Sequence, residues 1–252
     1  MNEGPRRIAI FGANSRIAIE AARIWLAKGV HLVVVTRNPE RLRRLTDDLT
    51  LRAAGLAEVH GIAADLADLD GLPALWESLR ERHPDLEAVL IAHGTLPDQA
   101  RCQRSPEAML QALRLNALSA MTLLTVIAND FEARQRGVIG VIGSVAGDRG
   151  RKGNYVYGAG KGMLALFLQG LRSRLHASGV RVLTIKPGFV VTPMTEGRDR
   201  DGLFWARPER VARGIVRAFY GRRDVVYLPW FWRPILWGIR MIPEPLFKRL
   251  RL

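Results

Sequence analysis

The 252-residue chain holds a single cysteine, Cys102, which excludes an intrachain disulfide and any thiolate metal cluster. Its five histidines are scattered, and His93 has no Cys or carboxylate partner at ligand spacing, so no metal site is expected. Residues 1–7 lead straight into a first strand, without an apolar stretch long enough for a secretory signal, and the expectation is a cytoplasmic protein. Internal repeats, low-complexity tracts and Pro/Ser-rich linkers are also missing, which argues for one domain. Lysine occurs at only a handful of positions, so the net charge of +14 comes from arginine. Those arginines are spread over several helices rather than clustered with aromatics, a pattern that does not suit nucleic acid. An anionic substrate or lipid, on top of a compositional bias, fits the charge better.

A hydrophobic content of 48% supports a sizeable core. Strand patterns at 7–11, 30–35, 57–62, 87–92, 138–142, 180–185 and 224–228 alternate with helical ones. Asn38-Pro39-Glu40 and Ser105-Pro106-Glu107 each supply an N-cap, a Pro at the first helical position and an early acid, and Pro208-Glu209 opens a further helix. Gly29 and Gly179 stand where helices stop before the next strand. Such βαβα order predicts an α/β fold, a single-domain, doubly wound parallel sheet of the Rossmann type with helices on both faces.

Ser144, Tyr157 and Lys161 follow the spacing Ser-x12-Tyr-x3-Lys. Tyr157 and Lys161 are four apart, so a helix puts both on one face with Cβ atoms about 5 to 6 Å apart; Tyr155 lies off that face. A phenol that gives up and regains a proton near neutral pH needs its pKa lowered by about 3 units, worth about 4 kcal/mol. A partly desolvated ammonium next to it supplies that field. Ser144 follows a short apolar strand, so its hydroxyl falls at a strand's carboxyl end, where open parallel sheets bind ligands. The combination suits a carbonyl group awaiting reduction.

After the first strand, Gly12, Asn14, Ser15, Arg16 and Ile17 form a tight turn into a helix N-terminus, an arrangement that receives a pyrophosphate. Only Gly12 remains where a dinucleotide loop ordinarily carries three glycines. Arg16 can turn its stem outward, and its guanidinium can also meet a phosphate. The second strand ends in Thr36-Arg37 with no acid for a ribose 2′-hydroxyl, which favours NADP(H) and leaves NAD(H) open. Asp65 can accept from an adenine amine or close a turn. Gly94 lets the backbone pass close to a cofactor. Pro187 and Gly188 turn the chain after the sixth strand toward Val190 and Thr192, and Thr192 can meet a carboxamide. His93 is assigned no chemistry.

With Gly12, Asp65, Asn116, Ser144, Tyr157, Lys161, Pro187, Gly188 and Thr192 in this order, the chain resembles the short-chain dehydrogenase/reductases over nearly its whole length. The resemblance implies Tyr157 as proton donor, Lys161 as the group that lowers its pKa and holds the nicotinamide ribose, and Ser144 as the carbonyl anchor. Asn116 would anchor a water behind Lys161; from the residues alone it is a mid-helix asparagine. Arg16 and Ala18 stand where the family carries glycines, and its Asn-Asn-Ala-Gly stretch is Ile91-Ala92-His93-Gly94 here. The segments at 93–98, 144–150 and 167–172, with the tail, are similar to decaprenylphosphoryl-2-keto-ribose reductases. That similarity implies a keto sugar on a polyprenyl phosphate, a flavin oxidase partner and a homo-oligomer.

The tail, 229–252 after a reductase body at 1–228, mixes Trp230, Phe231, Trp232, Trp237 and Phe247 with Arg233, Arg240, Lys248, Arg249 and Arg251. Arg233, Pro234 and Arg240 interrupt every apolar run well short of the ~20 residues a spanning helix needs. Such a tail can lie on the inner face of an anionic membrane, close over the substrate cleft or pack in a dimer. Two other activities stay open at this stage: reduction of a 3-oxoacyl chain on an acidic carrier protein, and dinucleotide binding without turnover.

Overall fold

The computed structural model describes residues 4–196 and 202–250. Its strands are β1 (Arg7–Phe11), β2 (His31–Thr36), β3 (Val59–Ala63), β4 (Ala88–Ile91), β5 (Val138–Ile142), β6 (Arg181–Pro187), β7 (Phe189–Val190), β8 (Trp205–Ala206) and β9 (Val225–Leu228). Its helices are α1 (Arg16–Leu26), α2 (Pro39–Ala53), α3 (Leu72–Arg82), α4 (Gln99–Arg104), α5 (Pro106–Leu113), α6 (Ser119–Ala133), α7 (Tyr155–Leu175), α8 (Pro208–Tyr220), α9 (Trp232–Met241) and α10 (Glu244–Phe247). All seven expected strands join one parallel sheet in the order β3-β2-β1-β4-β5-β6-β9. Strand β1 pairs with β2 on one side and β4 on the other, so the winding reverses there and opens a crevice at the carboxyl ends.

Side-chain alternation assigns the two faces. Ile8, Ile10, Leu32 and Val34 pack with Trp25 of α1, Leu45 of α2 and Phe219 of α8. Their neighbours Ala9, Phe11, Val33 and Val35 pack on the opposite side with Trp76 of α3, Leu123 and Ile127 of α6 and Leu168 of α7. The edge of Trp25 meets the ring of Phe219 at 5.0 Å and 75°, a contact worth about 1 kcal/mol beyond the area it buries.

The helix starts form as the sequence directs. Asn38 accepts from the Arg41 N–H at 2.8 Å, and Ser105 from the Ala108 N–H at 3.1 Å. Gly29 and Gly179 take the left-handed conformation that ends a helix. The first strand and the fifth have the predicted bounds, whereas β2 and β3 begin one and two residues later than the pattern suggests. Two features carry no sequence signal: the small parallel pair of β7 and β8, and a π-helical turn at Arg114–Leu118 between α5 and α6. The run Pro106–Ala133 is long and apolar enough to cross a membrane by composition, yet Leu123, Leu124, Ile127 and Phe131 on it are fully buried in the core.

Candidate active site

A cleft of about 610 Å³ opens at the carboxyl ends of β1, β4, β5 and β6. Ser144, Tyr157 and Lys161 line it together. So do Gly12, Asn14, Ser15, Arg16 and Ile17 at one end, Arg37 and Asp65 beside them, Gly94 midway, and Pro187, Gly188, Val190 and Thr192 across from Gly94's strand. Asn116 is the one expected site residue that lies behind the wall.

Lys161 is buried on α7 and donates from Nζ to the Ile142 carbonyl at 3.1 Å, which leaves its other donors for the cleft. Its Nζ stands 5.9 Å from the centre of the Tyr157 ring. Burial pushes the ammonium down from 10.5 to about 8. Tyr155 is 44% exposed, off the face that carries Tyr157 and Lys161, as the helical spacing requires. Ser144 caps a short 3-10 turn, Val145–Gly147, its Oγ accepting from the Ala146 N–H at 3.1 Å. That turn is pressed against α7: a Cβ on Gly158 would lie 2.9 Å from the Ala146 carbonyl oxygen. Gly158 and Gly162 thus let the serine's turn reach the tyrosine and lysine, a role the spacing alone does not show.

Asn116 occupies the π-helical turn, not a regular helix interior. Its Nδ2 donates to the Ala112 carbonyl at 2.9 Å, and its Oδ1 accepts from the Thr95 N–H at 3.0 Å. Such turns collect at functional sites because they re-aim one side chain. Gly94 has φ +149, and a Cβ there would sit 2.8 Å from Asn116 Oδ1 and 3.4 Å from Lys161 Nζ. Asn116 and Lys161 therefore converge on the Gly94 backbone from behind and from within the cleft.

His93, given no chemistry from the sequence, lines the cleft. Its Nε2 lies 2.9 Å from Ser119 Oγ, and that hydroxyl donates its only proton to the Leu66 carbonyl. The ring must therefore carry its proton on Nε2. Burial, reinforced by the Lys161 charge, pushes the imidazole down to about 3, so the ring is neutral.

Gly12 has φ +79, and a Cβ would fall 2.6 Å from the His93 backbone nitrogen, so only glycine fits this turn. The start of α1 has no side-chain cap and no acid in its first turn, which leaves its N–H groups and dipole for an anion. The residues fit a dinucleotide. Arg16 takes the outward course: its guanidinium is held 3.0 Å from Glu20 and 3.9 Å from Glu209. Arg37 is exposed at the end of β2, next to the buried Thr36. Asp65 closes a turn by accepting from the Ala67 N–H at 3.0 Å and also lines the cleft. Among the described residues no cluster of three metal-ligating side chains forms.

The tail packs against the cleft wall at Val145, Gly188 and Phe189. Trp232 and Leu236 are buried with Val145, Phe189 and Tyr227. The Trp232 indole lies on Gly188 so closely that a Cβ there would come 1.8 Å from Nε1. Arg149 reaches the Ile242 carbonyl at 2.7 Å, pairs with Glu244 at 3.0 Å and stacks 3.6 Å from the Phe247 ring centre. Beneath, Asp148 binds the Lys186 ammonium and accepts from the Tyr227 hydroxyl at 2.7 Å. Asp148 and Arg149 give no signal in the sequence, because their partners are 38 to 98 residues distant along the chain.

Fold and cleft define a doubly wound dinucleotide-binding oxidoreductase with a Ser-Tyr-Lys site. The sequence profile of the short chain dehydrogenase family matches residues 6–202. An uncharacterized oxidoreductase of Mycobacterium tuberculosis is 37% identical over 98% of either chain. The 3-oxoacyl-[acyl-carrier-protein] reductase of Bos taurus is 29% identical over 75% of this chain and 77% of its own. Among solved structures, a short-chain dehydrogenase from Sphingobium yanoikuyae in complex with NADPH superimposes with a TM-score of 0.81 at 26% identity, over 97% of this chain and 96% of that one. The chain belongs to the short-chain dehydrogenase/reductase family and is an NAD(P)-dependent oxidoreductase.

Proposed function

We propose that this chain uses NADPH to reduce the keto group of a sugar carried on a polyprenyl phosphate. A path of aromatic rings carries the substrate half of the proposal. Phe189, in the cleft wall, meets Trp232 at 5.1 Å; Trp232 meets Phe231 at 5.9 Å; Phe231 meets Trp230 at 6.5 Å. Trp230 is 71% exposed and Phe204, beside Trp232, is 51% exposed. An apolar path thus runs from the cleft to the surface, along which a prenyl chain can lie while the phosphate that joins it to the sugar stays at the cleft mouth. Lipid delivery places the tail on the inner face of an anionic membrane, and a flavin oxidase that makes the ketone is the partner such a substrate needs. A homo-oligomer belongs to the same reading.

The bound dinucleotide supplies the hydride. Tyr157 gives its proton to the forming alkoxide, and Ser144 donates to the same oxygen, so charge is stabilised where it develops. Lys161 holds the phenol acidic and the nicotinamide ribose in place. Asn116, fixed by Ala112 and Thr95, anchors a water behind Lys161 from which the proton is replaced. Gly12 and the first turn of α1 receive the pyrophosphate, Asp65 the adenine, Pro187 to Thr192 the carboxamide. Arg37 favours the 2′-phosphate and hence NADP(H) over NAD(H). The similarity to the Sphingobium enzyme, whose structure is a complex with NADPH, supports that preference.

A second reading, reduction of a 3-oxoacyl chain on a carrier protein, draws on the bovine relative's name and on the net charge of +14 that would attract an acidic carrier. NADPH oxidation measured with a lipid-linked keto sugar beside an acyl-thioester ketone decides between them. Turnover of the thioester alone would overturn the sugar proposal. Tyr157→Phe should abolish turnover and spare NADPH binding; full activity in that variant would remove Tyr157 as the acid.

A further inference from the structure

Helix α9 has two faces. Trp232 and Leu236 point into the protein, while Arg233, Trp237 and Arg240, at i, i+4 and i+7, share the outer face. With Tyr227 and Pro234 they enclose a hollow of about 400 Å³, separate from the catalytic cleft. Among the described residues neither Arg233 nor Arg240 has a hydrogen-bonded or ion-paired partner. Arg149, by contrast, is engaged through both terminal nitrogens by Ile239, Ile242 and Glu244. Two uncompensated guanidiniums facing one hollow repel each other, and a tetrahedral anion between them relieves the repulsion while accepting from both. The rim is apolar: Trp237 is 69% exposed and Met241 66%. A ring and a thioether beside a cation pair match the boundary between headgroups and acyl chains.

We propose that Arg233, Trp237 and Arg240 form a binding site for the phosphate of an anionic phospholipid headgroup, with Trp237 inserted beside it. The proposal rests on the reading of the tail as the membrane-facing surface, and gives that surface a discrete site in place of diffuse charge. It is tested by sedimentation of the full chain with vesicles of phosphatidylcholine alone and of phosphatidylcholine with phosphatidylglycerol. The variants are Arg233→Gln with Arg240→Gln, and a control, Lys248→Gln with Arg249→Gln, that removes the same charge outside the hollow. Melting curves and reduction of a soluble ketone verify that each variant is folded.

The wild type should bind the mixed vesicles only, and the pair in the hollow should weaken binding about thirtyfold, about fivefold per charge with both acting together. The control pair should stay within about threefold, because Lys248 and Arg249 line no hollow in which a shared anion could be held. Equal losses in the two double variants would overturn the site and leave membrane attachment by diffuse charge. No binding by the wild type would overturn site and membrane reading together. Protection of the hollow by glycerol phosphate without vesicle binding would replace the lipid by a free phosphate and also overturn the proposal.

Discussion

Gly147 lies against Gly162 with no room for a side chain: a Cβ on Gly147 would stand 2.7 Å from the Gly162 nitrogen and 2.7 Å from the Lys161 carbonyl carbon. This contact sets the distance between the turn that follows Ser144 and the helix that carries Tyr157 and Lys161. The geometry of the candidate site depends here on backbone meeting backbone, with no adjustable side chain between.

Gly147→Ala should therefore cost about 1 to 3 kcal/mol of stability through overpacking, and should lower kcat as the serine's turn is pushed outward. Gly170→Ala, on the same helix α7, meets nothing within 4 Å and should stabilise by about 1 kcal/mol through helix propensity. Urea denaturation of the two variants reads opposite signs from one chemical change. Equal effects would refute the close contact.

Lys161 is held as a buried cation at a cost in stability. Its folded pKa, about 8, lies below the ordinary 10.5, so the folded state binds fewer protons than the unfolded chain between those values. Stability of the cofactor-free protein from this residue is thus lowest below pH 8 and rises as pH climbs toward 10.5. Lys161→Met should abolish turnover yet leave the cofactor-free protein at least as stable as wild type at pH 7, with the difference shrinking by pH 9.5. A variant less stable at pH 7 would show that the bond to Ile142 outweighs desolvation.

The Asp148 carboxylate, with a side chain 3% exposed, balances Lys186, which is 11% exposed. Asp148→Asn leaves that ammonium buried without a counter-charge, and chemical denaturation should show a loss of about 3 to 5 kcal/mol. Tyr227→Phe removes only a hydrogen bond to the carboxylate and should cost about 2 kcal/mol. Costs in the reverse order would place the brace in the phenol.

Arg37→Asp exchanges a cation for the carboxylate that a free ribose 2′-hydroxyl prefers. The ratio of NADPH to NADH affinity, followed by nicotinamide fluorescence, should fall by about tenfold or more as a charge-assisted pair gives way to repulsion. An unchanged ratio would show that the 2′-phosphate is held elsewhere.

The seven strands were legible because each is a short apolar run bounded by turn or capping residues, and the N-caps at Asn38 and Ser105 are local signals. Ser144, Tyr157 and Lys161 were legible for a related reason: one helical face and one strand end suffice to bring them together. Asn116 was only half legible. A π-helical turn gives no periodic mark, and the partner that fixes it, Thr95, is 21 residues away. Gly147, His93, Asp148 and Trp232 act through partners that only the folded chain brings close. The tail was read as aromatic and basic, but which tryptophan faces inward is decided by α9 packing on β9, beyond the reach of composition.

Arg149 stands five positions after Ser144 and grips the tail at Ile239, Ile242, Glu244 and Phe247. A foreign carboxyl terminus spliced onto this body would strand that guanidinium unless it offered the same carbonyls, acid and ring. The last stretch of the chain is in this sense fastened to the turn that follows Ser144, and a chimera that exchanges it would disturb that turn as well.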